Sequence, residues 1–220
     1  MKLWNSEFSI MSLALCSVSA LAQTSLQQQP VRKPGAVVVQ VEPLAQPRSL
    51  LDLIRMSGLI VDGTVSSVLT PVNGSPNQRT PTIETDSVIA VNAVFAGAVP
   101  RNSAYIVIEQ VGGKVDQWDV TAAGDPLVAP GERYFLFLNP DNRKDLPNSS
   151  GMPRYAVTGV WSGKAKVANA VVTFLTAAHP QLHTYDGIPV DAFIQIVKET
   201  ISHPYTNTQL PIQPPVQKQR

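Results

Sequence analysis

The sequence predicts a mainly β domain: a small closed or partly open antiparallel barrel with an N-terminal and a C-terminal α-helix packed on it. Three observations lead there. Between two stretches of helical spacing, the apolar residues alternate or gather in short β-branched runs, each stopped by a turn signal. Six or seven such runs can be counted, enough to close a small barrel. The helical stretches stand at either end of the runs and not between them, so the βαβ alternation of a doubly wound parallel sheet is missing.

The first helix is read in "RSLLDLIRMSG", residues 48–58. Ser49 sits at the N-cap with Asp52 three residues on, Leu50, Leu53 and Ile54 form the apolar face, and Gly58 is placed to stop the helix. "LIVDGTVSSVL" then alternates, with Val61, Gly63 and Val65 on one side. "SVIAVNAVF" puts Ile89, Val91, Ala93 and Phe95 on one face and Asn92 on the other. "AYIVIEQV" is expected to end in a turn at Gly112-Gly113, with "QWDV" as a shorter run beyond it. "RYFLFLN" is apolar throughout, as a strand covered on both faces would be. "RYAVTGVW", "GKAKVA" and "NAVVTFL" complete the set, with a break at Ser162-Gly163. The closing helix is "PVDAFIQIVKETIS". Pro189 suits a first helical position, Val190, Phe193, Ile194, Val197 and Ile201 make one stripe, and His203-Pro204 ends it, because a residue before proline avoids the helical region.

The flanks read differently. Lys2, the apolar run "FSIMSLALCSVSA" and the small residues "ALA" form an export signal over 1–22, cleaved before Gln23. Cys16, the only cysteine, leaves with it, so the exported chain has no disulfide and depends on its core. Residues 23–47 hold six Gln and four Pro and read as a disordered leader, in which "AVVVQV" is the one strand-like run. Residues 203–220 read as a second Pro/Gln-rich disordered tail, leaving 48–202 as the folded domain. Seventeen basic residues against sixteen acidic ones give a net charge of +1 with no basic stripe, which argues against a nucleic-acid partner. No segment of the expected mature chain is long and apolar enough to anchor it in a membrane, and the expected location is periplasmic or secreted.

The order of helix, "LIVDGTVSSV", "VIAVNAVFAGAVP", "IVIEQVGG", "PGERYFLFL", "YAVTGVWSGKAKV" and helix resembles a group of uncharacterised exported bacterial proteins. Their fold is an OB-like (oligonucleotide/oligosaccharide-binding-like) barrel. The likeness covers about residues 48–202 and rests on pattern, so it implies a fold and no particular chemistry.

Few residues point to chemistry. His179 and His183 stand four apart in "HPQLHTYDG" and Asp186 follows, a set that could offer three ligands to a zinc ion if a helix brought them to one side. Pro180, Gly187 and Pro189 argue for a loop instead, the glutamate of an HExxH hydrolase is missing, and Asp186 is equally placed to cap the helix starting near Pro189. Asp116, Asp119 and Asp125 around Trp118 have the look of paired carboxylates, but read more simply as a solvated loop beside one ring. No GxSxG elbow offers a nucleophile. Tyr155 and Trp161, an even number of residues apart, are expected to share a strand face and either fill the barrel or anchor a ligand. Arg79, the one charge in the 71–82 loop "PVNGSPNQRTPT", is a third ligand-binding candidate, since long loops on a rigid scaffold often carry function. The expectation is an exported, non-catalytic binding or interaction module of the cell envelope without a cofactor, its ligand a small molecule or an envelope protein. A small metal-dependent envelope hydrolase using the 179–186 loop and a structural or assembly factor tethered by its tails are the alternatives.

Overall fold

A computed structural model describes residues 35–69, 72–73, 83–100, 103–141 and 151–204. The expected signal peptide, the leader up to residue 34, Arg79 and the tail from residue 205 lie outside the described residues. Ten strands are present among the described residues: β1 (Gly35–Val39), β2 (Leu59–Val68), β3 (Val72–Asn73), β4 (Ile83–Ala96), β5 (Tyr105–Val115), β6 (Trp118–Ala122), β7 (Arg133–Pro140), β8 (Arg154–Val157), β9 (Lys164–Ala168) and β10 (Val171–Phe174). Helix α1 (Leu50–Arg55) precedes β2, and α2 (Val190–Ser202) follows β10 and a short 3-10 turn at Leu182–Tyr185.

Five of the strands close a barrel. β2 pairs with β4 on one edge and β7 on the other, β4 pairs with β5, β5 runs parallel to β8, and β8 returns antiparallel to β7. Outside the ring, β9 continues along β7 and carries β10, β6 pairs with the far end of β5 and carries β1 in parallel, and β3 lies on β4. The strand-like run in the leader is thus β1.

Closure needs strong bending, and bulges supply it. Against β2, the long strand β4 carries two extra residues, at Asn92 and Phe95, and β2 carries one against β4, at Ser66. Gly63 marks a close approach of β2 to β4: a Cβ there would collide with the Ile89 Cγ2 atom. These bulges correct one expectation. Ile89 and Val91 do face the barrel interior, but the register shift turns Phe95 outward, where its ring lies 5.6 Å from that of Phe135.

The core has two layers separated by the barrel wall. Inside lie Val61, Val65, Ile89, Ile106, Ile108 and Leu136 among others. Outside, Leu50 and Leu53 of α1 and Phe193 and Val197 of α2 form one buried cluster with Phe135 and Phe137 of β7. β7 therefore feeds alternate residues to both layers, which is why its sequence is an unbroken apolar run. Phe193 is fully buried, its ring edge-on to Phe135 at 5.0 Å and to Tyr185 at 5.9 Å. Ser49 caps α1 as expected, its hydroxyl accepting from the Asp52 amide at 3.1 Å. Pro189 stands one position earlier than expected, at the N-cap of α2.

The double glycine is not a turn. Gly112 and Gly113, with φ of 127° and 125°, continue β5 and pair with Thr121 and Val120 of β6. Up to Val111 β5 pairs with β4, and from Gly112 onward it leaves the ring to pair with β6. The glycines are the point of departure, and a Cβ on Gly112 would meet the Val120 carbonyl oxygen at 3.0 Å. The reversal comes later, at Asp116, whose φ is 51°.

Candidate functional site

The two ends of the barrel are built differently. At one end, β8 stops at Val157 and β9 takes over its place along β7, but among the described residues no ladder joins β9 to β5. The segment 125–128 fills that gap. The Pro126 carbonyl accepts from Gln110 Nε2 of β5 at 3.0 Å and from Lys164 Nζ of β9 at 3.1 Å, and the Val128 amide donates to Gln110 Oε1 at 3.0 Å. Lys164 is fully buried and forms an ion pair with the equally buried Asp125. Burial pushes the Lys164 ammonium below its ordinary value, and the Asp125 charge works against that shift. Beside it, the Tyr134 hydroxyl donates to Glu132 Oε2 at 2.7 Å, and Lys166 pairs with Glu132 Oε1. Burial, and then the Glu132 carboxylate, raise the Tyr134 phenol well above its usual range. Every polar group named here has a partner. This end is shut.

The opposite end opens into a cavity of about 640 Å³. Gly58 and Leu59 at the start of β2 form one wall, Ala98 and Pro100 beyond β4 another. Pro140 and Asp141 at the end of β7, with Met152 and Pro153 leading into β8, complete it. The volume is that of a small-ligand site.

β8 is held in place by its first residue. Arg154 is buried on the outer side of the barrel wall, with Nη2 2.6 Å from Asp86 Oδ1 of β4 and 2.6 Å from Glu109 Oε2 of β5, and Nε 3.9 Å from Asp141 Oδ2. Neighbouring side chains on a strand point to opposite faces, so anchoring Arg154 outward turns Tyr155 inward. Tyr155 is 4% exposed, packs in the interior layer and lines the cavity. Its hydroxyl makes no hydrogen bond to any group among the described residues, and burial raises its phenol above the ordinary value, so it stays protonated and able to donate.

The other expected site residues fall elsewhere. Trp161 does not share a face with Tyr155, because β8 ends at Val157 and the turn 158–163 intervenes. The Trp161 ring packs against the outer, helix-covered layer with a buried Nε1 that has no hydrogen-bond partner. His183 Nδ1 lies 2.8 Å from Asp186 Oδ2, while Asp186 Oδ1 accepts from the Phe174 amide at 2.7 Å. Asp186 thus ties the 3-10 turn to β10 and does not cap α2. The Gln181 amide donates to His179 Nδ1 at 3.3 Å. Among the described residues no group of three His, Cys, Asp or Glu side chains is placed to hold a metal ion. Of the three aspartates around Trp118, Asp116 and Asp119 are exposed and Asp125 is buried on Lys164, so they form no common site. Sequence reasoning missed Arg154, Glu109, Gln110 and Lys164. The available signal was a charged or amide side chain inside an apolar strand pattern ("IVIEQV", "RYAV", "GKAKVA"), which marks a buried polar group in need of a partner.

No protein-family model matches the chain, and no curated protein matches it.

Proposed function

We propose that the protein is an exported, non-catalytic binding module of the cell envelope, and that its ligand enters the open barrel end beside Tyr155. The observation that carries this reading is the unpartnered Tyr155 hydroxyl in the cavity wall. The hydroxyl oxygen is open to solvent in the cavity, so a ligand acceptor takes the place of water on that donor. A phenol kept neutral by its surroundings suits hydrogen-bonding recognition and not proton transfer at neutral pH.

The fold reading agrees with this proposal. Five strands in a closed antiparallel ring, with one parallel pair between β5 and β8, support an OB-like barrel with a helix before it and a helix after it. Likeness to exported OB-like proteins, export through the 1–22 signal, and a small molecule or envelope protein as partner belong to the same reading. OB-like barrels serve many ligands, so the cavity and not the fold names the site.

The test uses the full chain with the Met152 methyl group and the Tyr155 ring followed by NMR. Short proline-rich peptides and chitin or glucan oligosaccharides are titrated in turn. At least one probe is expected to shift Met152 and Tyr155 ahead of any signal on β1 or α2. Its affinity should fall at least tenfold in Tyr155→Phe, the equivalent of one charge-free hydrogen bond, about 1.4 kcal/mol. Binding that leaves the Tyr155→Phe affinity unchanged, or that maps to the closed end, overturns the assignment.

A further inference from the structure

The side chains around the open end discriminate between classes of ligand. We propose that the cavity takes a short proline-rich segment of a partner protein, held by an amide carbonyl that accepts from the Tyr155 hydroxyl. The inference rests on the reading of the cavity as a binding site and adds the class of ligand.

Among the described residues of the wall, the polar side chains other than Tyr155 are engaged or covered. The Ser103 hydroxyl donates to the Tyr105 carbonyl at 2.6 Å and accepts from the Tyr105 amide at 3.2 Å. Arg154 Nη2 is held by Asp86 and Glu109, and Asp141 lies 3.9 Å from its Nε. The side chains of Asp141 and Arg154 are 5% and 6% exposed, so neither charge is presented to the cavity. That leaves the Tyr155 hydroxyl as the open polar side chain of the wall. Around it stand the rings of Pro100, Pro140 and Pro153, with Leu59, Ala98 and the Met152 thioether. The wall is an apolar surface with one hydroxyl.

Such a surface ranks ligands by the polar groups they would strand. A carboxylate, phosphate or ammonium would give up its water with no opposite charge presented to it. An oligosaccharide brings several hydroxyls on each ring, and an ordinary peptide brings an N–H on each residue. One phenol cannot engage them all, and each group left over is a lost hydrogen bond. Proline removes the N–H and puts an apolar ring in its place, while its carbonyl stays free to accept because the extended chain has no internal hydrogen bonds. Burial keeps the Tyr155 phenol protonated, with a hydrogen to give that carbonyl. Little entropy is lost when so stiff a chain docks. A compact cavity of about 640 Å³ is about 9 Å across, the length of three residues at about 3.1 Å each. The fit is to a short segment and not to a folded domain.

The experiment titrates the full chain with three uncharged probes and follows the Met152 methyl by NMR. The probes are N-acetyl tetraproline dimethylamide, tetra-alanine with the same two caps, and chitotetraose. Tetraproline is expected to shift Met152 at concentrations at least tenfold lower than either of the others, a difference of about 1.4 kcal/mol. In Tyr155→Phe its affinity should fall at least tenfold, to the level of the capped tetra-alanine. The ranking of the three probes on wild type needs no variant, so it stands as a test whatever Tyr155→Phe does to the fold. Tetra-alanine binding as tightly as tetraproline overturns the proposal, because the missing N–H would then count for nothing. Chitotetraose binding first also overturns it, and if that binding weakens in Tyr155→Phe the cavity reading survives with a sugar as ligand. If none of the three shifts Met152, both readings fall.

Discussion

The two ends of one barrel spend their polar groups in opposite ways. At the closed end Gln110, Lys164, Asp125, Tyr134 and Glu132 are tied to each other and to the 125–128 segment, and the gap between β5 and β9 is filled. At the open end a tyrosine of similar burial keeps its hydroxyl unpaired in a cavity wall. The difference teaches how to separate structure from function where no bound ligand marks the site. Buried polar groups that satisfy one another are accounted for by folding, and a donor in a cavity wall that nothing in the fold engages is free for a partner from elsewhere.

Three changes at the closed end sharpen the contrast. The largest effect is expected for Lys164→Ala, which strands the Asp125 carboxylate in the interior and opens a void. Urea denaturation should show a loss of about 3–5 kcal/mol, the range for breaking a buried ion pair. A loss under about 1 kcal/mol would mean that water already reaches the pair. Replacing both charges together, Lys164→Met with Asp125→Leu, should bring stability back to within about 2 kcal/mol of wild type, because the desolvation cost of both ions disappears along with their attraction. A double variant as unstable as the single one would show that the Pro126 contact, and not the ion pair, holds the segment.

The smallest effect at this end is on pH dependence. Burial would raise the Glu132 carboxyl, but the Lys166 ammonium, the Tyr134 hydroxyl and the Ala129 amide outweigh it and hold the group below its ordinary 4.5. A depressed carboxyl contributes its stability above the unfolded value, and the contribution is lost as pH falls through the lower folded value. Wild type should therefore lead Glu132→Gln at about pH 6 and lose that lead by about pH 3. A gap between the two that stays constant with pH would break the assignment.

What was legible in the sequence follows from the same physics. β7 could be read as doubly covered because its apolar run is continuous, and Ser49 as a cap because its spacing to Asp52 is local. Features set by long-range pairing were not legible. The departure of β5 at Gly112-Gly113 looks like a turn unless β6 is known to lie alongside. Phe95 was placed on the wrong face because bulges break the two-residue period. The expected partnership of Tyr155 and Trp161 failed for a related reason. Even spacing means a shared face only while the strand lasts, and β8 ends at Val157. Tyr155 was nonetheless within reach as a candidate from sequence. Arg154, which orients it, was not, since its carboxylate partners come from β4 and β5.

The most direct measurement makes one substitution at both ends. Tyr134→Phe and Tyr155→Phe each remove a single hydroxyl from a buried ring. Urea denaturation should show that Tyr134→Phe costs about 1.5–3 kcal/mol, the range for a hydrogen bond to a charged group, here the Glu132 carboxylate at 2.7 Å. Tyr155→Phe should change stability by less than about 0.5 kcal/mol, as a substitution that breaks nothing does. Equal losses at the two positions, or a larger loss at Tyr155, would show that its hydroxyl is already committed within the fold and would contradict the account.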